Sequence, residues 1–365
     1  MKKITPKNLF VRQTTLSEIG EHGQQKLLHT NIVVVGCGGL GTIAATYLAG
    51  SGIGAIHLVD FDIVSISNLH RQIFYKIEDV GKPKAEVLAS YLTKIAPFTR
   101  VSYSNKPVSK STIFQLIKRG DIVLDCTDSL PIKYLINDAC VLKNKPLVYG
   151  SLYKFDGYAA TFNIKTENGF TANLRDAFPK ISKEAIPSCS EIGTLNTVVG
   201  IIGLFQANEV LKLVTSVGKL LLNELLIYNS LESTQYKMKL KQNFSKEKIQ
   251  QIFENEDYFD PRCEIQDSSL LISTSELKEK LSLVKDSKRL KIISVIEDVN
   301  TKLPFKTDQK IPFSKFNVNT IELTKNNDYV VVCNRGITSY TAVQQLKEKY
   351  PNITIVSLKE GIINY

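Results

Sequence analysis

The sequence predicts an α/β protein, with a doubly wound, mostly parallel sheet in residues 1–245 and a smaller α/β domain after it. Three observations predict this. Short β-branched runs such as residues 32–35 show no polar alternation, as strands buried on both faces must. Segments of helical period separate these runs at the spacing of strand–helix units. A glycine-rich turn, GCGGLG, joins the first strand to the first helix.

Taken in order, residues 32–35 form the first strand, and 40–49 read as the helix after the glycine turn. Residues 55–59 make the second strand, ending at Asp60. Lys82-Pro83-Lys84 opens another helix, with proline in its first turn, and Val87, Leu88, Tyr91, Leu92 and Ile95 share one face. A strand at 121–124 runs into Asp125-Cys126-Thr127-Asp128, and a helix spans 131–142. Beyond Pro146 the pattern alternates as strands do, then becomes irregular and polar over 165–191, the expected mobile crossing loop. Residues 194–214 form a long apolar helix, and a strand pair falls within 220–240. Residues 246–268, charged and poor in apolar side chains, suit a linker. Residues 269–365 alternate again: helix 275–284, strand 291–296, strand 329–333, helix 338–349 and strand 353–358.

Composition narrows the function. A chain of 365 residues can bury a sizeable core. The opening MKKITPKNLF has no apolar stretch behind its lysines, and 195–214 is interrupted by Asn196, Gln206, Asn208 and Glu209. Neither a signal peptide nor a membrane span is expected. Six cysteines without a framework spacing imply a reducing compartment, the cytoplasm. The net charge of +10 is uneven, with 28 Lys/Arg against 19 Asp/Glu in residues 1–245 and 18 against 17 in the remainder. No basic stretch is interleaved with aromatics, so the basic excess points to an anionic small ligand or an acidic protein partner rather than nucleic acid.

The candidate nucleotide site begins at Gly36, Gly38, Gly39 and Gly41. Gly36 permits the tight turn, Gly38 lets backbone approach phosphate, and Gly41 lets the helix pack on the sheet. Asp60 is placed to accept from ribose hydroxyls. That much serves a nicotinamide-dependent oxidoreductase equally well. Downstream, Asp62, Asn68, Arg71 and Gln72 fall just past the second strand, Lys84 starts the next helix, and Asp128 and Ser129 follow a further strand. Two cations and an amide converging on a triphosphate would neutralise charge on the α-phosphate and on departing pyrophosphate; Asp128 could hold Mg2+ there. Each residue has a plainer role: Lys84 as a solvated first-turn lysine, Asp128 as a helix N-cap, Arg71 as a surface partner of Asp62.

The segments RQTTLSEIGEHGQQKL, VVVGCGGLG, LVDFDIVSISNLHRQ, VGKPKAE, LDCTDS and YLINDACVLKNKPLVYGS resemble the MoeB/ThiF family, bacterial relatives of ubiquitin-activating enzymes, over residues 5–240. The resemblance implies a Rossmann-like adenylation domain that uses ATP and Mg2+ to adenylate the C-terminal Gly-Gly carboxylate of a small ubiquitin-like sulfur carrier of MoaD or ThiS type. It assigns Gly41 and Asp60 to the adenosine, Asn68, Arg71 and Lys84 to the phosphates, and Asp128 to magnesium. Arg12 resembles an arginine that reaches the opposite subunit's site in a homodimer; otherwise it is a surface arginine. Family members often bind structural zinc through two Cys-x-x-Cys pairs. Here GFTANLRDAF has no cysteine and PRCEIQD keeps only Cys263. One thiolate cannot make a four-ligand site, so no zinc is expected and packing must replace it.

Two further cysteines carry chemistry in this reading. Cys189, in IPSCSEIGTLNTVVG, matches the family's thioester or acyl-disulfide position; its alternative is a spare loop cysteine. Cys333 ends YVVVC and begins CNRGITS, where backbone N–H groups closing at a helix N-terminus stabilise a thiolate or persulfide. This loop, with the ending VSLKEGIINY, resembles a rhodanese-like domain fed by a persulfide sulfur donor. Asn334 stands where an arginine is usual, Arg335 follows one place late, and ISVIEDVN lacks the usual Asp-Val-Arg. The competing readings are a carrier-binding adaptor with an inactive rhodanese domain and the nicotinamide-dependent oxidoreductase.

Overall fold

The computed structural model describes residues 4–179, 193–258, 267–283, 289–334, 336–362 and 365. The chain divides into two compact units, Met1–Phe259 and Asp260–Tyr365. In the first, α1 (Pro6–Leu9), α2 (Val11–Thr14) and α3 (Gly20–His29) precede β1 (Asn31–Val35). Then come α4 (Gly39–Gly50), β2 (Ala55–Val59), α5 (Lys84–Ile95), β3 (Arg100–Ser104), α6 (Ile113–Ile117), β4 (Ile122–Asp125), α7 (Leu130–Leu142), β5 (Leu147–Tyr153) and β6 (Asp156–Phe162). A small hairpin of β7 (Lys165–Thr166) and β8 (Gly169–Phe170) leads to α8 (Leu174–Ala177) and the long α9 (Asn196–Thr215). The hairpin β9 (Glu224–Asn229) and β10 (Thr234–Lys239), then α10 (Lys246–Asn255), follow.

Eight strands form one sheet in the order β10-β9-β6-β5-β4-β1-β2-β3. The five from β3 to β5 are parallel, and β6, β9 and β10 add on antiparallel. Winding reverses between β1 and β4, so connections leave in opposite directions there and open a crevice at the strands' carboxyl ends. Ile32, Val34, Leu48, Leu58, Leu88, Val199 and Ile202 belong to the core beside this point. Helix α9 is long and apolar enough to cross a bilayer by length and composition alone. Within the fold it packs on α4, β5 and β6. Its polar residues are engaged: Gln206 Nε2 donates to the Asp125 carbonyl at 2.8 Å, and Glu209 accepts from Thr161 Oγ1 at 2.6 Å and Leu221 N at 2.9 Å.

The structure departs from the sequence reading in two segments. Of the expected crossing loop at 165–191, residues 165–170 form a largely exposed hairpin and residues 171–176 pack into the core, with Ala172, Leu174 and Arg175 buried; 180–192 lie outside the described residues. Residues 246–258, expected as linker, form α10 and its exit, with Ile249 and Phe253 buried one turn apart. Lys110 Nζ caps that exit, donating to the carbonyls of Glu254 at 3.1 Å and Glu256 at 2.8 Å. Helix α5 also differs in detail, since Ile95 is exposed while Leu88 and Leu92 are buried. The polar composition of both segments hides their packing, because in the first segment inward polar groups pair with one another and in α10 only Ile249 and Phe253 face inward.

The pairing centres on Asp138 of α7, fully buried. Arg175 Nε and Nη2 reach its two carboxylate oxygens at 2.8 and 2.6 Å, and Tyr258 donates to Oδ2 at 2.6 Å. The guanidinium also stacks on Tyr134, 4.7 Å from the ring centre. Burial and the Asp138 charge hold the Tyr258 hydroxyl well above its ordinary range, so it stays a donor. The cluster joins GFTANLRDAF to the residues just before PRCEIQD, the two stretches in which zinc ligands were sought. Arg175→Ala should destabilise the first unit by about 3–5 kcal/mol, because Asp138 is left as an uncompensated buried charge. Urea unfolding checks this, and a double replacement of Arg175 and Asp138 by apolar residues should recover most of the loss.

The second unit contains β11 (Leu271–Ile272), α11 (Thr274–Leu283), β12 (Leu290–Ser294), β13 (Gln309–Lys310), β14 (Asp328–Val332), α12 (Ile337–Lys349) and β15 (Ile355–Leu358). Its sheet is parallel throughout, ordered β11-β15-β14-β12-β13. Ile293, Val331 and Ile355 face Ala342, Val343 and Leu346 on one side; Ile292, Val330 and Val332 face Leu277 on the other. Burial on both faces explains the unbroken apolar run of β14.

Candidate active site

The glycine turn is set by close approaches. Gly36 has φ +94°, and a Cβ there would lie 2.6 Å from the Cys126 carbonyl oxygen at the end of β4. A Cβ on Gly41 would fall inside contact distance of the Gly36 carbonyl oxygen, and one on Gly39 would collide with Val199 of α9. Gly39 therefore serves helix packing. Gly38 differs: among the described residues only Gln72 Nε2, at 3.6 Å, comes within 4 Å of its Cβ position. That is the open side, at the N-terminus of α4, where an anion is favoured.

Asp60 closes the turn from β2. Its carboxylate accepts from Cys37 N at 2.7 Å and Asp62 N at 2.8 Å, leaving further lone pairs for a ligand hydroxyl. Burial pushes Asp60 up to about 6, an effect that the adjacent Lys84 opposes. Lys84 is only 5% exposed. Its Nζ lies 2.9 Å from Asp62 Oδ2, and its backbone N donates to the Asp62 carbonyl at 2.9 Å. Burial alone would lower the lysine, but Asp62, Asp60 and Asp128 together hold it above its ordinary value. Lys84 is thus a buried ammonium ion at the switch point rather than a solvated lysine, and it, not Arg71, takes Asp62.

Residues 65–75 fold over the glycine turn. Asn68 Oδ1 accepts from Ser65 N at 3.3 Å, and the Asn68 carbonyl takes the N–H groups of Arg71 and Gln72. The Arg71 carbonyl sits 3.4 Å from the Cβ position of Gly39, while its half-buried side chain donates to the Ser67 carbonyl at 2.9 Å. Gln72 is 3% exposed, and its Oε1 has no hydrogen-bond partner among the described residues. Tyr75, which sequence reasoning missed, donates to the Cys37 carbonyl at 2.7 Å and lies 3.2 Å from that of Lys84. It ties the turn to α5.

On the β4 side, Ser129 rather than Asp128 caps α7, its Oγ accepting from Ile132 N at 3.3 Å. Asp128 is exposed at the crevice side of that cap and acts electrostatically on Lys84. The Asp125-Cys126-Thr127-Asp128 turn is held by a pair absent from the sequence reading. Asp125, fully buried, accepts from Thr127 N and Oγ1 at 3.0 and 2.7 Å and meets Lys133 Nζ at 3.1 Å. Lys133 also donates to the Gly150 carbonyl at 2.7 Å. The signal was present: an ionisable residue on the apolar face of α7, four residues past its N-cap.

Arg12 is exposed on α2, whose neighbouring Gln13 anchors inward on Gln24 at 2.6 Å and on the Ser51 carbonyl at 3.1 Å. Cys189 and Cys263 lie outside the described residues. Cys37, Cys126 and Cys140 are buried, and burial raises all three thiols, which makes them poor nucleophiles. Cys333 is buried as well, at 4% exposure, but differs in what surrounds its sulfur. It follows β14, and its Sγ accepts from Gly336 N at 3.0 Å and lies 3.2 Å from Ser339 Oγ. Gly336 has φ +81°, and a Cβ there would press on the backbone of Leu358 and Glu360. Arg335 lies outside the described residues.

Among the described residues Gln72 Oε1 has no donor and the Cβ side of Gly38 is open, so a ligand hydroxyl and a phosphate could be taken up there. Among the described residues no group of three or more His, Cys, Asp or Glu side chains could hold a metal. A cation that takes most of its ligands from phosphate and water would need only one such carboxylate, and Asp128 could supply it.

A doubly wound sheet with a glycine turn and a buried lysine at its switch point defines a nucleotide-binding α/β protein, and this chain belongs to the ThiF family, matched over residues 10–249. Among its relatives is a protein described as a probable adenylyltransferase/sulfurtransferase, MoeZ of Mycobacterium tuberculosis (strain CDC 1551 / Oshkosh). It is 31% identical over 358 residues, covering 97% of this chain and 91% of the relative. The sulfur carrier protein adenylyltransferase of Thermus thermophilus is 39% identical over 236 residues, covering 64% of this chain and 87% of its own. In fold, the chain resembles E. coli MccB crystallised with ATP, with a TM-score of 0.54 and 24% identity over 60% of this chain and 66% of that one.

Proposed function

We propose that this protein activates a small ubiquitin-like sulfur carrier of MoaD or ThiS type by ATP-dependent adenylation and then transfers sulfur to it. The observation that carries the reading is Lys84: a buried cation held by Asp62 and Asp60 beside a glycine turn. A dehydrogenase, which moves a hydride and leaves its phosphates intact, has no use for it. The names of relatives spanning both units support the second half of the chemistry.

In this reading the carrier's terminal carboxylate oxygen attacks the α-phosphorus of ATP, and pyrophosphate departs with the electron pair of the broken P–O bond. Lys84, Arg71 and Asn68 bind the phosphates, Asp60 orients the ribose and Gln72 lines its pocket. Asp128 would hold Mg2+, which shields phosphate charge. A persulfide on Cys333 then attacks the acyl carbon, and AMP leaves with its carboxyl oxygen. A thiolate, Cys189 or a second thiol, displaces the carrier thiocarboxylate by forming a disulfide with Cys333. Arg12 completes the site of a partner subunit in a homodimer. The reducing chemistry belongs in the cytoplasm.

Pyrophosphate–ATP exchange with purified carriers ending in Gly-Gly tests this. Exchange should require a carrier and be lost when its terminal glycine is removed. Absence of exchange with both carrier types, together with binding of NAD in preference to ATP, would overturn the reading.

A further inference from the structure

The second unit holds two buried hydroxyls that the chemistry above does not use. Ser339, in the first turn of α12, and Ser357, in the middle of β15, are both completely buried. Their Oγ atoms are 2.8 Å apart, and Ser339 Oγ is 3.2 Å from Cys333 Sγ. Ser357 pairs in register with Val331 of β14 and Leu271 of β11, positions where a parallel strand ordinarily carries an apolar residue. A hydroxyl sunk in such a layer is costly unless it is bonded. Here its bond leads towards Cys333, the one cysteine among the described residues whose sulfur also takes a backbone N–H.

We propose that Ser357 and Ser339 are positioning residues that form a one-way relay, Ser357 O–H to Ser339 Oγ and Ser339 O–H to Cys333 Sγ, holding that sulfur as an anion. The inference rests on the reading that Cys333 carries the sulfur. A thiolate only accepts, so once Cys333 is ionised Ser339 must donate to it, and the oxygen of Ser339 is then free to accept from Ser357. Hydrogen bonds to an ionised acceptor are stronger than those to a neutral one. The relay therefore favours the charged form, which attacks the outer sulfur of a persulfide R–S–SH, takes it as Cys333–S–SH and releases R–S⁻.

Alkylation of the full-length protein by iodoacetamide, followed at the Cys333 peptide by mass spectrometry, tests the relay without any carrier. At neutral pH Ser339→Ala should slow the reaction roughly tenfold, and Ser357→Ala about threefold. Ser357→Ala should add nothing in the Ser339→Ala background, because it acts only through Ser339. At alkaline pH, where every variant is ionised, the rates should converge. The charged groups that follow this sheet edge, Glu297 and Asp298 after β12 and Lys359 and Glu360 after β15, are common to all variants, as is Arg335. The comparison therefore isolates the hydroxyls. A wild-type rate for Ser357→Ala, a full additive effect in the double variant, or a defect that persists at alkaline pH would overturn the relay. Should Ser339→Ala not fold, Ser357→Ala against wild type decides alone. Failure of the underlying reading shows separately, as sulfur transfer retained in Cys333→Ala.

Discussion

Lys84→Ala should abolish carrier-dependent pyrophosphate exchange, lowering its rate by about a thousandfold or more while the chain stays folded. The loss has two parts. The phosphates lose a fixed ammonium ion that costs no reorganisation when charge develops on departing pyrophosphate. Asp60, already pushed up to about 6 by burial, also loses the cation that opposes that shift. It would then take up a proton more readily and hold a ribose less well. The fold should survive because Asp62 is half-exposed and water can replace its partner. Asp128→Ala should remove exchange to a similar degree through the metal, with a rise in the Mg2+ needed for half-activity. Retention of exchange in both variants would refute the assignment of the site to this crevice.

Cys333→Ala should leave pyrophosphate exchange at the wild-type rate and lower carrier thiocarboxylate formation by about a thousandfold or more. The separation follows from the proposed chemistry, in which adenylation would use the crevice between β1 and β4 and sulfur transfer a nucleophile after β14. Thiocarboxylate on the carrier is measured by its mass increase. Unchanged transfer would reduce the second unit to a docking module and move the search for the nucleophile to Cys189.

Much of the fold was legible because its signals are local. Residues 32–35, 55–59 and 121–124 read as buried parallel strands because apolar side chains dominate them without polar alternation, His57 and Asp121 being the exceptions, and each appears as a strand in the sheet. Strand β3, at Arg100–Ser104, went unread: it lies at the sheet edge with most of its side chains exposed, so it lacks the apolar run. Helix α10 has the composition of a linker because only Ile249 and Phe253 face inward. At the site, the glycine turn and the positions of Asp60, Lys84 and Asp128 at strand and helix ends could be read from order alone. The Asp125–Lys133 pair could not: Lys133 on the apolar face of α7 signals a buried ion, but nothing local says that its partner is Asp125.

Contiguous sequence determined the two α/β units, the glycine turn with its φ-positive Gly36, the place of Lys84 at the start of a helix and the loop after Cys333. Each of these depends on residues within a few positions of one another, where period, backbone freedom and helix polarity act directly. Only the tertiary structure decided that Lys84 is buried between Asp62 and Asp60, that Arg175 and Tyr258 close on Asp138, and that Ser357 reaches Ser339. Those outcomes depend on which distant groups share a low-dielectric interior, where an unpaired charge or hydroxyl is too costly to leave, and no local pattern records that company.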